Sequence, residues 1–194
     1  LFGPYPHANL SVVEADFLDG MEYDGLYFLS KGFYNLYPSQ SLDYLITIAA
    51  HETAHQWWYG LVGNDQAMEP WLDEALCTYS ERIFYENVDP DELENWWTYR
   101  INMNNPQGPI DRSIYDFGGY LQPYLTYRDS IYLDGALFME DLRKLVGDEA
   151  FFAFLRDYVE TNKYGVSSTE KFFAILKEHT SQDLTPLKEQ YFSR

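Results

Sequence analysis

Two histidines one helical turn apart, with an acid between them and a second acid downstream, constrain this chain more than any other feature. The segment reads His51-Glu52-Thr53-Ala54-His55, and Glu74 follows with residues 56–73 between. A helix makes 3.6 residues per turn, so positions i and i+4 share a face and two imidazoles there can close on one ion. Glu52 lies about 100° round the helix, beside that ion rather than on it, where it can handle a proton. Glu74 then adds a third ligand from a second helix. Three protein ligands with a fourth position left to water are the arrangement of a catalytic zinc, whereas a structural zinc is closed by four. An amphipathic helix carrying two histidines for packing alone would explain neither the downstream acid nor why the motif takes two of only four histidines. The expectation is one Zn2+ per chain on His51, His55 and Glu74, with Glu52 as general base.

The surrounding pattern sets the fold class. Asn9 to Phe17 and Gly25 to Ser30 read as strands, with Asp19-Gly20 and Asp24-Gly25 as turn signals around Met21-Glu22-Tyr23. From Ser41 the period becomes helical: a first helix to about Tyr59, a second from Leu72 to Asn87, and a third started by Asp89-Pro90-Asp91-Glu92 and ending near Asn104. Pro106 to Tyr127 reads as a long irregular stretch rich in tyrosine. Helices are expected again over Arg128–Val146, Asp148–Asn162, Ser168–Glu178 and from Pro186, with Ser167 to Glu170 fitting a capping box. The class is α+β, mainly helical: a β portion over 1–40 and a helical lobe over 41–194, in one domain.

Composition excludes some partners. A formal net charge of −18 argues against nucleic acid, whose phosphates need a basic face, and favours cationic ligands such as a peptide's protonated amine. The longest apolar candidate, Tyr44 to Ala50, is far too short to span a membrane. No signal peptide is visible, and a chain running from Leu1 to Arg194 reads as a piece of a longer protein. Cys77, the one cysteine, cannot form an intrachain disulfide; on its helix it reads as core, with a ligand role as the alternative. Asp73 and Glu81 are candidates to orient a zinc-bound histidine, and His7 and His179 read as surface residues.

Taken further, His51-Glu52-Thr53-Ala54-His55-Gln56-Trp57-Trp58-Tyr59-Gly60 and Trp71-Leu72-Asp73-Glu74-Ala75 resemble the zinc aminopeptidases related to membrane alanyl aminopeptidase and leukotriene hydrolase, a gluzincin family. Gly20-Met21-Glu22-Tyr23 is similar to that family's Gly-Ala-Met-Glu-Asn strand, and Ile131-Tyr132-Leu133-Asp134-Gly135 to its Val-Tyr-x-Lys-Gly segment. The resemblance implies a thermolysin-like catalytic domain that works with flanking domains. It implies that Tyr132 donates to the oxyanion, that Glu22 binds the substrate's free α-amine, and that the backbone of Gly20 and Met21 pairs with the substrate. The departures are Asp19-Gly20 for Gly-Ala, Tyr23 for Asn, Ala75 for Gly and Asp134 for Lys. The function expected is hydrolysis of the N-terminal peptide bond of a peptide or small protein. A thermolysin-like zinc endopeptidase and a non-catalytic zinc-binding module are the alternatives.

Overall fold

The structure, a computed structural model, describes residues 1–39, 41–118 and 126–193. It is α+β and mainly helical, with the small β portion at the start. Strands β1 (Ser11–Ala15), β2 (Gly20–Tyr23) and β3 (Leu26–Ser30) form a sheet of order β1-β3-β2, with β1 parallel and β2 antiparallel to β3. The β2–β3 turn is made at Asp24-Gly25, where Gly25 takes φ +70, a conformation glycine adopts without steric cost. Asp19, just before β2, also has a positive φ of 76.

Helix α1 (Lys31–Leu36) occupies part of the stretch read as extended from sequence; the Ser30 hydroxyl caps it by accepting from Gly32 N at 3.1 Å. Helix α2 (Tyr44–Ala54) carries the histidine motif and ends short of the expected Tyr59. Tyr59 turns to φ 90 and Gly60 N donates to the His55 carbonyl at 2.9 Å, so the chain reverses tightly. A Cβ at Gly60 would sit 2.9 Å from that carbonyl, which is why this turn takes glycine.

After the short strand β4 (Val62–Gly63), helix α3 (Trp71–Val88) packs along α2. The third predicted helix is a composite: a 3-10 turn Pro90–Glu92, one α turn, α4 (Leu93–Asn95), and a π-helical segment Trp96–Asn102. Of the irregular stretch from Pro106 to Tyr127, residues 119–125 lie outside the described residues. The described part contains a 3-10 turn, Ile114–Phe117, closed by a Ser113–Asp116 capping box. A second π-helical segment, Arg128–Asp134, leads into α5 (Gly135–Val146). Helices α6 (Asp148–Asn162), α7 (Thr169–His179) and α8 (Thr185–Tyr191) follow, with β5 (Gly165–Val166) pairing β4 in parallel. The cap of α7 is Ser168 rather than Ser167: its hydroxyl accepts from Lys171 N, while Ser167 is buried.

The main core lies between α3, α5, α6 and α7 and is dense in rings. Trp71, fully buried, meets Phe138, Phe172 and Phe192 edge-on at 5.0–5.7 Å between centroids, a favoured aromatic geometry. Rigid packing at this end of α3 anchors the turn that carries Glu74. Across the helix, a Cβ on Gly135 would lie 2.5 Å from Ala75 Cβ, so glycine lets α5 press against α3 and brings the Arg128–Asp134 segment to the site. Among the described residues, no helix is long and apolar enough to cross a membrane.

Candidate active site

A cleft of about 310 Å³ opens between β2, α2, α3 and the Arg128–Asp134 segment, and His51, His55, Glu74, Glu52, Tyr132, Glu22, Gly20 and Met21 all line it, whereas Glu81, Cys77, His7 and His179 do not. His51 and His55 project from one face of α2, their rings 4.9 Å apart. Each histidine is fixed from behind. His51 Nδ1 donates to Glu81 Oε1 at 2.9 Å, and His55 Nδ1 to the Trp58 carbonyl at 3.1 Å. Both partners are acceptors, so the hydrogen of each ring sits on Nδ1 and the Nε2 lone pair faces forward. The two Nε2 atoms converge on one oxygen, Glu74 Oε2, at 3.2 and 3.5 Å.

Three lone-pair donors aimed at one point need a cation among them. Burial would push both histidines down, yet the surrounding groups, Glu74 common to both, raise them well above the ordinary value. Burial would push Glu74 up, yet the same histidines hold it well below the usual carboxylate range. The metal-free cluster thus takes up protons where a divalent ion would serve, and two nitrogens with one carboxylate oxygen suit zinc. Glu74 also lies in the first turn of α3, where the helix dipole favours negative charge.

Cys77 offers a rival set, since its sulfur lies within 4.8 Å of ligand nitrogens of both histidines. It is fully buried, and burial pushes its thiol up, away from the thiolate a metal prefers. Glu74 touches both Nε2 atoms and reaches the cleft, so the ligand set with Glu74 is the better supported.

Glu52 is 4% exposed and its Oε2 has no hydrogen-bond partner among the described residues. Burial above all raises its carboxyl to about 7, with Glu22 and Glu74 adding to the effect and the two histidines opposing it. Gly20 is what lets β2 approach: a side chain there would run into the Glu52 carboxylate and Ile48. Two residues along the strand, Glu22 lies with Glu52 and His55 inside a 4.8 Å cluster and accepts from Gln66 Nε2 at 3.2 Å. Tyr132 stacks on His51 with ring centroids 5.8 Å apart and planes 11° apart, and lines the cleft together with Glu74. Burial raises its phenol, so it stays a donor.

Some residues behave differently from the sequence expectation. Asp73 does not orient a histidine; it accepts from Asn64 Nδ2 at 3.0 Å and Gln66 Nε2 at 2.8 Å, and burial pushes it to about 7. Glu81 does orient one. Its two oxygens also accept from Arg100 Nη2 (2.7 Å), Arg100 Nε (2.9 Å) and Trp96 Nε1 (2.8 Å). Burial opposes the ionised form of Glu81, but Arg100 and His51 more than offset it. His179 is half-buried and paired with Asp157 at 3.0 Å, while His7 is exposed.

Gln56, Gln66 and Arg100 were not read from sequence. Gln56, 1% exposed, ties the motif to the sheet: Nε2 donates to the Tyr23 carbonyl at 2.9 Å and Oε1 accepts from Gly25 N at 2.8 Å. Its place directly after His55 was the one local signal. Gln66 and Arg100 gain their partners only in the folded chain.

Known proteins resemble this chain in sequence and fold. The chain is 27% identical over 164 residues to aminopeptidase N of Lactococcus lactis subsp. cremoris, covering 80% of this chain and 19% of that one. It is 29% identical over 199 residues to aminopeptidase M1-B of Oryza sativa subsp. japonica, covering 95% and 22%. It therefore spans about a fifth of the length of these relatives. The M1 zinc metallopeptidase of Deinococcus radiodurans has a similar fold, with a TM-score of 0.72 and 26% identity over 100% of this chain and 41% of that one. The profile of the peptidase family M1 domain matches residues 2–191, and the chain belongs to that family.

Proposed function

We propose that this chain is the catalytic domain of a zinc aminopeptidase that removes the N-terminal residue of a peptide, in concert with flanking domains of a longer protein. One observation carries the reading: two histidine Nε2 atoms converge on Glu74 while Glu22 and Glu52, whose Oε2 has no hydrogen-bond partner among the described residues, stand beside them in one cleft. The names of the aligned relatives and the family support it.

His51, His55 and Glu74 would hold the zinc, which when bound polarises a carbonyl and acidifies water. The chain's own residues do the rest. Glu52 accepts a proton from the attacking water and passes it to the leaving amine. The Tyr132 hydroxyl, in the same cleft, donates to the oxyanion that develops on the scissile carbonyl. Glu22 pairs with the ammonium of the first residue, and the edge strand β2 offers backbone groups of Gly20 and Met21 to the substrate. An endopeptidase would need an open path on the amine side; here the Glu22–Gln66–Asp73 chain of hydrogen bonds stands there instead.

The test has two arms. His55→Ala should abolish stoichiometric zinc; retention of a full equivalent would refute the ligand set. Matched peptides with free and acetylated N-termini should differ at least ~10-fold in kcat/KM for the wild type, and the ratio should shrink in Glu22→Ala. Equal cleavage of both peptides by the wild type would favour the endopeptidase, and no cleavage of either by zinc-loaded protein would favour the non-catalytic module.

A further inference from the structure

The cleft continues past the scissile position into a second hollow of about 470 Å³, with Asp19, Ile48, Arg100 and Arg128 lining both. Direction follows from β2. If the amine sits at Glu22 and the reacting carbonyl at Glu52, which abuts Gly20, a bound peptide runs antiparallel to β2. The residue after the scissile bond therefore emerges at Asp19 and Leu18, the mouth of the second hollow.

That hollow differs in chemistry from the acidic cleft. Phe33 and Tyr44 line it as a stacked pair 6.4 Å apart, with Ile48 and Leu18 completing an apolar wall. Its two cations are not equivalent. Arg100 is 8% exposed and spent on Glu81 through two hydrogen bonds. Arg128 keeps one edge of its fork open: Nε and Nη2 both donate to a single oxygen, Asp129 Oδ1, at 3.0 and 2.6 Å. Its Nη1 has no hydrogen bond among the described residues. The buried Asp129 thus holds the guanidinium in place without filling it, and a guanidinium fork matches a carboxylate in two-point geometry.

Resting on the aminopeptidase reading, we propose that Arg128 anchors the substrate's C-terminal carboxylate, and that the preferred substrates are dipeptides with an apolar second residue. Arg128 lines the cleft as well as the hollow, so the carboxylate it can meet belongs to a residue close after the scissile bond, and a longer peptide carries its carboxylate past the anchor.

The experiment compares the zinc-loaded protein on four substrates sharing a first residue: a dipeptide ending in phenylalanine, its C-terminal amide, the same dipeptide extended by glycine, and the aminoacyl anilide. The anilide reports the chemistry alone; if neither it nor any peptide is cleaved, the aminopeptidase reading fails, independently of Arg128. The dipeptide acid should exceed its amide by about tenfold or more in kcat/KM, chiefly through KM, and exceed the tripeptide as well. In Arg128→Gln the acid-to-amide ratio, taken within the variant so that overall activity cancels, should fall to near one, with Arg128→Lys between. A wild-type ratio near one, or a ratio preserved in Arg128→Gln, would overturn the proposal. Should Arg128→Gln fail to fold, Arg128→Lys decides: an undiminished ratio there overturns it, because a lysine lacks the fork.

Discussion

Glu81→Gln tests whether the support behind His51 matters as much as its geometry implies. The Glu81 carboxylate is fully buried and accepts four hydrogen bonds, from His51, twice from Arg100, and from Trp96. A glutamine amide must place its NH2 at one of the two oxygen positions, and each position already faces two donors. Either orientation sets donor against donor, and Arg100 loses its counter-charge while 8% exposed. Breaking a buried pair from one side costs about 3–5 kcal/mol. For a chain of this size that is a fall in Tm of roughly 6–20 °C. His51 is left with a neutral amide oxygen, or with no acceptor where the NH2 takes the Oε1 position, and weakening the partner that fixes its tautomer typically costs about 10–100-fold in metal affinity. The two effects separate in Glu81→Leu with Arg100→Met, which removes both charges: stability should largely return, since replacing a buried pair by apolar groups is often neutral, while zinc affinity stays low. Denaturant unfolding of the metal-free protein reads the first quantity, and competition with a chromogenic chelator the second. A loss below ~1 kcal/mol in Glu81→Gln with unchanged zinc affinity would refute the reasoning.

Glu52→Gln should retain zinc and fold yet lose most hydrolysis, measured as kcat beside metal content. Tyr132→Phe should lower kcat by about 10²–10³ with zinc stoichiometry unchanged, a size typical of losing one oxyanion donor; unaltered kcat would move the role to another donor such as Tyr127. Asp134 is raised to about 6 by burial and by Asp141, from 3.8 unfolded, so its ionisation costs the folded state stability as pH rises through that window. Asp134→Asn should therefore gain about 1 kcal/mol above pH 6, discounted for partial exposure, and the gain should vanish as pH falls toward 3.8 in denaturant titrations. Gln56→Ala should raise KM for free-amine peptides more than it lowers zinc affinity, because it frees the β2 turn while leaving the ligands in place; the opposite order would show that the clamp serves the metal.

What could be read from the chain alone was whatever local geometry determines. His51 and His55 are bound to share a helix face, and Glu74 follows on a helix whose start the sequence marks, so their convergence was legible before any tertiary contact. The strand order was not: β1 pairs with β3 across the hairpin, and nothing local distinguishes β1-β3-β2 from a simple meander. The early end of α2 was missed because Trp57-Trp58-Tyr59 continues an apolar run, while the stop depends on Gly60 closing onto the His55 carbonyl. The π-helical segments were read as ordinary helix, since their wider turns leave no local mark; Arg128–Asp134 packs on α3, and Trp96 and Arg100 reach it through Glu81. Asp73 and Glu81 looked alike as candidate partners for a histidine. Helix phase separates them: Glu81 lies two turns beyond Glu74 on the same face, whereas Asp73 turns toward Asn64 and Gln66.

The clamp made by Gln56 has one more consequence. In the proposed reading, the acid that grips the amine and the acid that moves the proton belong to different elements, a strand and a helix. Gln56 bonds both sides of the turn that ends that strand and follows directly on the helix's second histidine. The two carboxylates therefore cannot slide past each other without breaking both bonds. Such a pair is a length gauge: the offset between Glu22 and Glu52 decides how many residues come off per cut, and the gauge is set by a side chain that touches neither end of the substrate.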